Sequence, residues 1–395
     1  MAASKKKKEK DVVDFNELDK KSKEKLIGDA FKILDDFNPM SSMLSDAISN
    51  IEKYDDTGCY ILNALISGSL KNGGFPEGRS TLFAAPSSVG KSYIALQAAA
   101  LAQKKGKYVV VFDSEFSIDK RFAQSLGLNP DLVKWFPVKS IEDCKNGIYK
   151  FLDFAGKNKI YGQFFIIIDS LGAMLSELDY ERAKDGNTAA DMGTRAKSMG
   201  QLLTVCNTMA GFSRSTVVMT NHIYDNPSPF ASKIEMEMPG GRKVRFMPST
   251  IVQLKGKVVK EDDSQIGDTA AEGSKGMTGV AVTGLSIKSR LVKPYNTAEL
   301  YISWEKGMQK YYGMLDLSLA FGIIEKRMGK LYRVDTGKYI GTPSDIQDNA
   351  EFWEDFIPVL QKEIDDKWCY RNENERNRQQ AIFDAEAAAA EKEKE

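Results

Sequence analysis

Ser80-Thr81-Leu82-Phe83-Ala84-Ala85-Pro86-Ser87-Ser88-Val89-Gly90-Lys91-Ser92 is the stretch on which the fold turns. Five residues of strand texture run into a small-residue loop, the loop closes on Gly90-Lys91-Ser92, and the pattern beyond is helical to Gln103. Strand, loop and helix N-terminus in that order are the context a phosphate-binding loop needs. The backbone N–H groups of Ser87, Ser88, Val89 and Gly90, with the helix N-terminus, would cradle phosphate oxygens. Lys91 would reach the β- and γ-phosphates of ATP, and the Ser92 hydroxyl would ligate Mg²⁺. Ala85 stands where the pattern has its first Gly, and since a side chain disfavours positive φ, an altered loop start is expected.

Working outward, strand candidates at 108–112, 164–169 and 216–221 alternate with helical patterns near 92–103, 141–155 and 191–211. The unbroken apolar run Phe164-Phe165-Ile166-Ile167-Ile168 predicts a strand covered on both faces, as in a parallel sheet. The alternation predicts an α/β domain with a mainly parallel central sheet. Asp169 then falls at the carboxyl edge of that sheet, where open α/β sheets bind ligands, and would hold the hydration shell of the metal. Alone, it would read as a helix cap. The run Val109-Val110-Val111-Phe112-Asp113-Ser114-Glu115 delivers a second carboxylate, Glu115, to the same edge, where it would orient and polarise an attacking water. Three strands converging on one edge carry far more weight than any one of them.

From residue 250 the pattern turns to strand after strand, at 250–257, 279–288 and 298–304, which predicts antiparallel hairpins on one side of the parallel sheet. The segment 261–275 is acidic and rich in Gly and Ser, and reads as a mobile loop. Four parts follow: an arm (1–55) with an amphipathic helix, to which the family resemblance below adds an oligomerisation role, an ATPase core (56–305), a small α/β domain (306–370) with helices at 314–321 and 351–364, and a charged tail (371–395). In the arm, Leu26, Ile27, Ala30, Phe31 and Leu34 recur at helical spacing within 17–37, and Asn38-Pro39 ends that helix. Residues 40–58 read as a connector with room for a second helix. No repeat with a period of 20–50 residues is visible.

With 55 Lys+Arg against 55 Asp+Glu the net charge is zero, so any nucleic-acid site is a local patch and not a global field. Cys59, Cys144, Cys206 and Cys369 are scattered, which excludes a zinc ribbon or disulfide scaffold and fits a reducing cytoplasm. No apolar run approaches 18 residues, so no membrane span is expected.

The order and spacing of Ala85–Ser92, Glu115, Ile168-Asp169-Ser170 and Thr220-Asn221-His222 resemble the RecA-type recombinases over about residues 55–340. The runs 191–197 and 285–293 look most like the phage-encoded members. The resemblance implies a water-activating role for Glu115, an adenine-holding role for Asp119 and Phe122, and a γ-phosphate sensor at His222, the only His of the chain. It implies that Lys288 and Arg290 reach the ATP of a neighbouring subunit; two cations one residue apart at a strand end suit a triphosphate clamp. Two loops would touch DNA. The first, 172–193, leads into Met192, Arg195 and Lys197. The second, 223–245, carries Tyr224, Phe230, Gly240, Gly241, Arg242, Lys243 and Arg245, and three cations in four residues beside a Gly pair suit single-stranded nucleic acid.

What the resemblance implies is a DNA-dependent ATPase that uses ATP and Mg²⁺, forms a helical filament on single-stranded DNA, and pairs it with double-stranded DNA. A recombination mediator and a single-strand-binding protein would be partners, in the cytoplasm, or the host's if phage-encoded. The family's tails are acidic, whereas 371–395 holds seven acidic and five basic residues, which departs from tail-mediated screening of DNA. Two rivals are a hexameric helicase of the same fold and a nucleotide-gated DNA-coating protein with vestigial hydrolysis.

Overall fold

The computed structural model describes residues 15, 18–185, 192–224, 236–260 and 277–370. Phe230, residues 5–8, the 261–275 segment and the 371–395 tail lie outside the described residues. The chain divides into two compact units, Met1–Asn50 and Ile51–Glu395. In the first, helix α1 spans Lys20–Phe37, with the Asp19 carboxylate capping it through the Ser22 N–H (3.1 Å). Its apolar stripe follows the expected spacing, and none of its side chains is buried. The second helix for which the connector had room is, in 40–50, a single 3-10 turn at Leu44–Asp46.

The second unit begins β1 (Tyr54–Asp55), α2 (Tyr60–Ser67), β2 (Phe75–Pro76), β3 (Ser80–Ala84), α3 (Lys91–Lys104), β4 (Tyr108–Asp113) and α4 (Lys120–Ser125). It continues β5 (Val133–Pro137), α5 (Ile141–Lys157), β6 (Phe164–Asp169), α6 (Glu177–Lys184), α7 (Met192–Ser213), β7 (Thr216–Asn221), α8 (Lys243–Phe246), β8 (Thr250–Lys260) and β9 (Met277–Ser289). It closes with β10 (Thr297–Ser303), β11 (Gly307–Met308), α9 (Met314–Ala320), β12 (Ile324–Arg327), β13 (Lys330–Arg333), β14 (Tyr339–Gly341), α10 (Pro343–Ile346) and α11 (Ala350–Lys367). Nine strands form one sheet in the order β11-β10-β9-β8-β3-β7-β6-β4-β5. The six from β8 to β5 are parallel, and β9, β10 and β11 add on antiparallel, as the change of pattern after residue 250 predicts.

Side chains alternate across the sheet, so β3 feeds two cores. Phe83 points into one shared with α2 and α3, and Leu82 and Ala84 point into the other, shared with α5 and α7. Helices on both faces are what the apolar β6 run requires. The first core also takes Met314, Leu331, Trp353, Phe356, Leu360 and Ile364, so the 306–370 segment packs into the same apolar interior as the phosphate loop.

Several regular elements escape the sequence pattern, β5, α4 and α6 among them. Helix α2 is apolar all round, with seven of its eight residues buried, so no helical period shows; it ends at Gly68, which is left-handed (φ 83°). The three-stranded sheet β12-β13-β14 is made of strands only three or four residues long, too short to display alternation.

Candidate nucleotide site and its neighbouring loops

Parallel strands all end at one edge, and the in-register pairs there bring the candidate residues together. Ala84 lies opposite Asn221, and Asp113 opposite Asp169. After β3 the chain turns through Ser88 (φ 63°) and Gly90 (φ 98°) into α3. Ala85 is not one of the positive-φ positions, and its N–H donates to the Asn221 carbonyl (3.1 Å). The altered loop start expected from Ala85 therefore does not arise, because the left-handed positions fall on Ser88 and Gly90. Lys91 is 7% exposed and donates to the carbonyls of Ala85 (3.0 Å) and Pro86 (2.8 Å). Burial pulls its pKa down, and the charges of Asp169 and Glu115 push back.

Asp169 is 1% exposed. Thr220 Oγ1 donates to its Oδ1, while Oδ2 is buried without a hydrogen-bond partner among the described residues. Burial raises its pKa, the Ser92 and Thr220 hydroxyls lower it, and Glu115 and Asp113 raise it again, with a net rise. A buried carboxylate oxygen left unpaired, with a hydroxyl beside it, fits a Mg²⁺ ion that takes one or two protein oxygens and completes its shell with water and phosphate. Among the described residues no group of three or more His, Cys, Asp or Glu stands ready to hold a metal by itself.

Glu115 Oε1 accepts from Ser170 Oγ and from His222 Nε2 (2.9 Å). A carboxylate only accepts, so Nε2 carries the proton. Burial pushes the pKa of Glu115 up, but the Ser170 and His222 hydrogen bonds, with the charges of His222 and Lys91, outweigh it and lower it overall. A cavity of about 300 Å³ is lined by Lys91, Ser92, Glu115, Phe122, Asp169 and His222, together with the loop. A second, of about 550 Å³, shares Ser88, Gly90 and Tyr93 with it and runs past Gln97 and Ser125 to Trp304. Asp119 is engaged as the cap of α4, its Oδ1 accepting the Phe122 N–H (2.7 Å). Tyr93 and Trp304 are rings that sequence reasoning passed over. Tyr93 follows Ser92 directly, and Trp304 ends a predicted strand, but nothing in the sequence says that they share a cavity.

The candidate DNA residues divide. Arg195 donates to the carbonyls of Gly172 (Nη2, 2.7 Å) and Met174 (Nε, 3.1 Å), so its guanidinium braces the start of the first loop. Lys197, Arg242 and Lys243 are exposed. Arg245 donates to the Met236 carbonyl (3.1 Å) at the far end of the second loop. Tyr224 and Glu237 bridge the two ends of that loop, and Gly240 and Gly241 both have positive φ (104° and 82°) as they pass close over Met199 and Ala196 of α7. Asn221 links His222 and the second loop, accepting the His222 N–H (3.0 Å) and donating to the Pro239 carbonyl (3.1 Å). A Cβ on Gly172 would lie 2.8 Å from Asn221 Oδ1 and 3.1 Å from His222, so the first loop begins in tight contact with both. Met192 opens α7, Phe230 lies outside the described residues, and residues 186–191 and 225–235 fall there too.

Lys288 and Arg290 lie away from the phosphate loop of their own chain. Lys288 pairs with Ile251, which is level with Leu82. Ala85 is three residues further along, about 10 Å, and two strands across, about another 10 Å. The Lys288 ammonium turns to the carbonyls of Phe246 and Pro248, ahead of β8, and Arg290 is close enough to Arg79, ahead of β3, to lower its pKa after burial has done so. Both cations thus occupy the edge at which the parallel strands begin. Burial, then the Arg290 charge, pulls Lys288 down to about 8.

The family model described as the RecA N-terminal domain matches residues 41–309. Protein RecA of Acholeplasma laidlawii (strain PG-8A) is 26% identical over 325 residues, covering 80% of this chain and 90% of that protein. Protein RecA of Ruminococcus albus is 28% identical over 330 residues (82% and 76%), and that of Streptococcus mutans serotype c 26% over 339 (79% and 82%).

Proposed function

This chain belongs to the RecA family, and from that premise we propose that it is a DNA-dependent ATPase that assembles head to tail on single-stranded DNA and promotes homologous pairing and strand exchange in recombination and repair. One observation carries the ATPase: a phosphate loop with its lysine, a hydroxyl beside an unpaired buried carboxylate oxygen, and a hydrogen-bonded glutamate all meet at one cavity. Lys91 moves from its loop carbonyls to the β/γ-phosphates, and the N–H groups of Ser87, Ser88, Val89 and Gly90 hold their oxygens. Ser92 and Asp169 hold Mg²⁺, which neutralises phosphate charge when bound. Glu115, kept ionised by its partners, orients the water and takes its proton. The base lies beside Tyr93, which lines both cavities, with Phe122 on the side of the smaller cavity and Trp304 on the side of the larger, while Asp119 secures the helix that carries Phe122.

His222 is the sensor. It touches Glu115 on one side and, through Asn221, Pro239 of the second loop on the other. A γ-phosphate that engages Glu115 or His222 therefore alters the loop that meets DNA. Lys197, Arg242 and Lys243 are exposed to hold phosphates; Gly240 and Gly241 let the strand approach the backbone; Met192 and Phe230 wedge between bases. We assign Arg195 and Arg245 the same DNA face, through their hold on the two loops.

Lys288 and Arg290 act on the ATP of the next subunit, because the fold sets them at the opposite edge from their own. Such a contact is head-to-tail and generates an open helix unless it closes into a ring. The α1 stripe docks on the neighbour as the oligomerisation element. A UvsX-like phage branch, the partition into 1–55, 56–305, 306–370 and 371–395, a mediator, a single-strand-binding protein and a cytoplasmic location belong to the same proposal. Among the described residues no helix is long and apolar enough to cross a membrane.

The test is ATPase activity with and without single-stranded DNA, beside electron microscopy with a slowly hydrolysed ATP analogue. DNA-stimulated turnover and extended filaments are expected. Closed rings would favour the helicase, and DNA binding without turnover the DNA-coating protein.

A further inference from the structure

We infer that Asp113 is a positioning residue for turnover: its carboxylate folds the turn that aims Glu115 at the phosphate cavity. This rests on the role proposed for Glu115. Asp113 ends β4, is fully buried, and does not line the cavity. Its Oδ1 accepts the N–H of Glu115 (3.0 Å) and of Phe116 (2.8 Å). Its Oδ2 accepts the indole N–H of Trp135 on β5 (3.2 Å) and faces the Ile118 N–H at a longer 3.4 Å. Every group meeting it is a donor, the set an acceptor-only side chain takes.

The turn does not form freely. Phe116 has φ 55°, a left-handed conformation that an L side chain adopts only where its surroundings impose it. The bond from its N–H to Asp113 imposes it, and Phe116 packs edge-on (centroids 5.6 Å) against Trp135, the ring whose N–H meets the same carboxylate. Glu115 sits between these anchors, with Ser170 and His222 fixing its carboxyl end. Without Asp113 the backbone at 115–116 relaxes toward negative φ and swings Glu115 away from the cavity. A displacement of about 1 Å at a reacting group costs up to about 10²-fold in rate.

The experiment uses the full chain. Asp113→Ala, Asp113→Asn, Asp113→Asn/Phe116→Gly and Glu115→Gln are compared for DNA-stimulated kcat and KM, binding of a fluorescent ATP analogue, and Mg²⁺ dependence. Asp113→Ala is expected to lower kcat by about 10²-fold, with KM, analogue binding and Mg²⁺ dependence unchanged. Asp113→Asn keeps one acceptor but turns an amide N–H₂ on the other donors, so its loss is smaller. Phe116→Gly should restore part of that loss, because glycine takes positive φ at no steric cost. This rescue also carries the test if the Ala variant does not fold. Parental kcat in a folded Ala variant, or no rescue by Phe116→Gly, overturns the inference. So does a shift in Mg²⁺ dependence in place of kcat, since Asp113 would then act by its charge on Asp169. Parental turnover in Glu115→Gln instead removes the role of Glu115, and the inference falls with it.

Discussion

The two edges of the central sheet carry opposite chemistry. Where the parallel strands end, Asp113, Glu115 and Asp169 crowd round the phosphate loop, and burial and mutual repulsion hold Asp169 above its usual range. Where they begin, Arg79, Lys288 and Arg290 crowd together, with the pKa values of Arg79 and Lys288 depressed. Like charges gathered at each edge are unfavourable within one chain and become favourable when the edges of two chains meet. The parallel half achieves this because every strand ends on the same side. The antiparallel β9 runs back and delivers its last residues, Lys288 and Ser289, to the opposite side. One sheet thus carries opposite charge at its two edges, the complementarity that the proposed head-to-tail assembly would use.

Breaking the acidic edge has the largest expected effect. Lys91→Ala should abolish nucleotide-dependent assembly together with turnover, because the phosphates lose their one buried cation. DNA-stimulated ATPase at the parental rate in a folded Lys91→Ala protein would refute the phosphate-loop assignment. Glu115→Gln should keep nucleotide binding and lose about 10²- to 10⁴-fold in kcat, since the amide cannot take a proton from water. Its filaments should persist under the microscope, and rapid disassembly would count against Glu115.

Mixing tests whether the two edges meet. A Lys91→Ala subunit has a dead phosphate loop and an intact clamp; a Lys288→Ala subunit has the reverse. At junctions of one orientation the mixture rebuilds a complete site, so its activity should exceed the sum of the separate variants. Co-assembly seen by microscopy without any gain would confine Lys288 to its carbonyl partners at Phe246 and Pro248.

A smaller effect should follow pH. Lys288 is pulled down to about 8, so its charge is present below that pH and lost above it. ATP-dependent assembly of free subunits should weaken as pH rises through about 8, and Lys288→Arg, which stays protonated, should flatten that limb. An identical profile in the Arg variant would assign the limb elsewhere. The smallest effect concerns the second loop. Removing Arg242 and Lys243 together should reduce the log–log salt slope of single-strand binding by about 0.7 for each phosphate no longer neutralised. An unchanged slope would take both off the DNA backbone.

The phosphate-loop pattern, the acid that ends β6, the placement of His222 just past β7 and the change from parallel to antiparallel pairing were legible in the sequence. Each depends on residues close together in the chain, where strand period, loop chemistry and helix start can be read directly. What each side chain would touch was not legible. Arg195 and Arg245 read as phosphate ligands, as cations beside Gly-rich loops do; that both also donate to loop carbonyls is visible only in the fold. Asp113 was passed over beside Glu115, although an acid two residues before the functional one can accept its backbone N–H.

By itself the sequence determined the α/β class, the phosphate-loop pattern and the strands that meet at the site, because hydrophobic period and loop composition are local properties. Only the tertiary structure decided that Asp113 and Asp169 stand in register, that Trp304 shares a cavity with Tyr93, and that Lys288 faces away from its own phosphate loop. Those facts depend on strand order and direction, which are set by the packing of residues far apart in the chain and leave no trace in any short stretch of it.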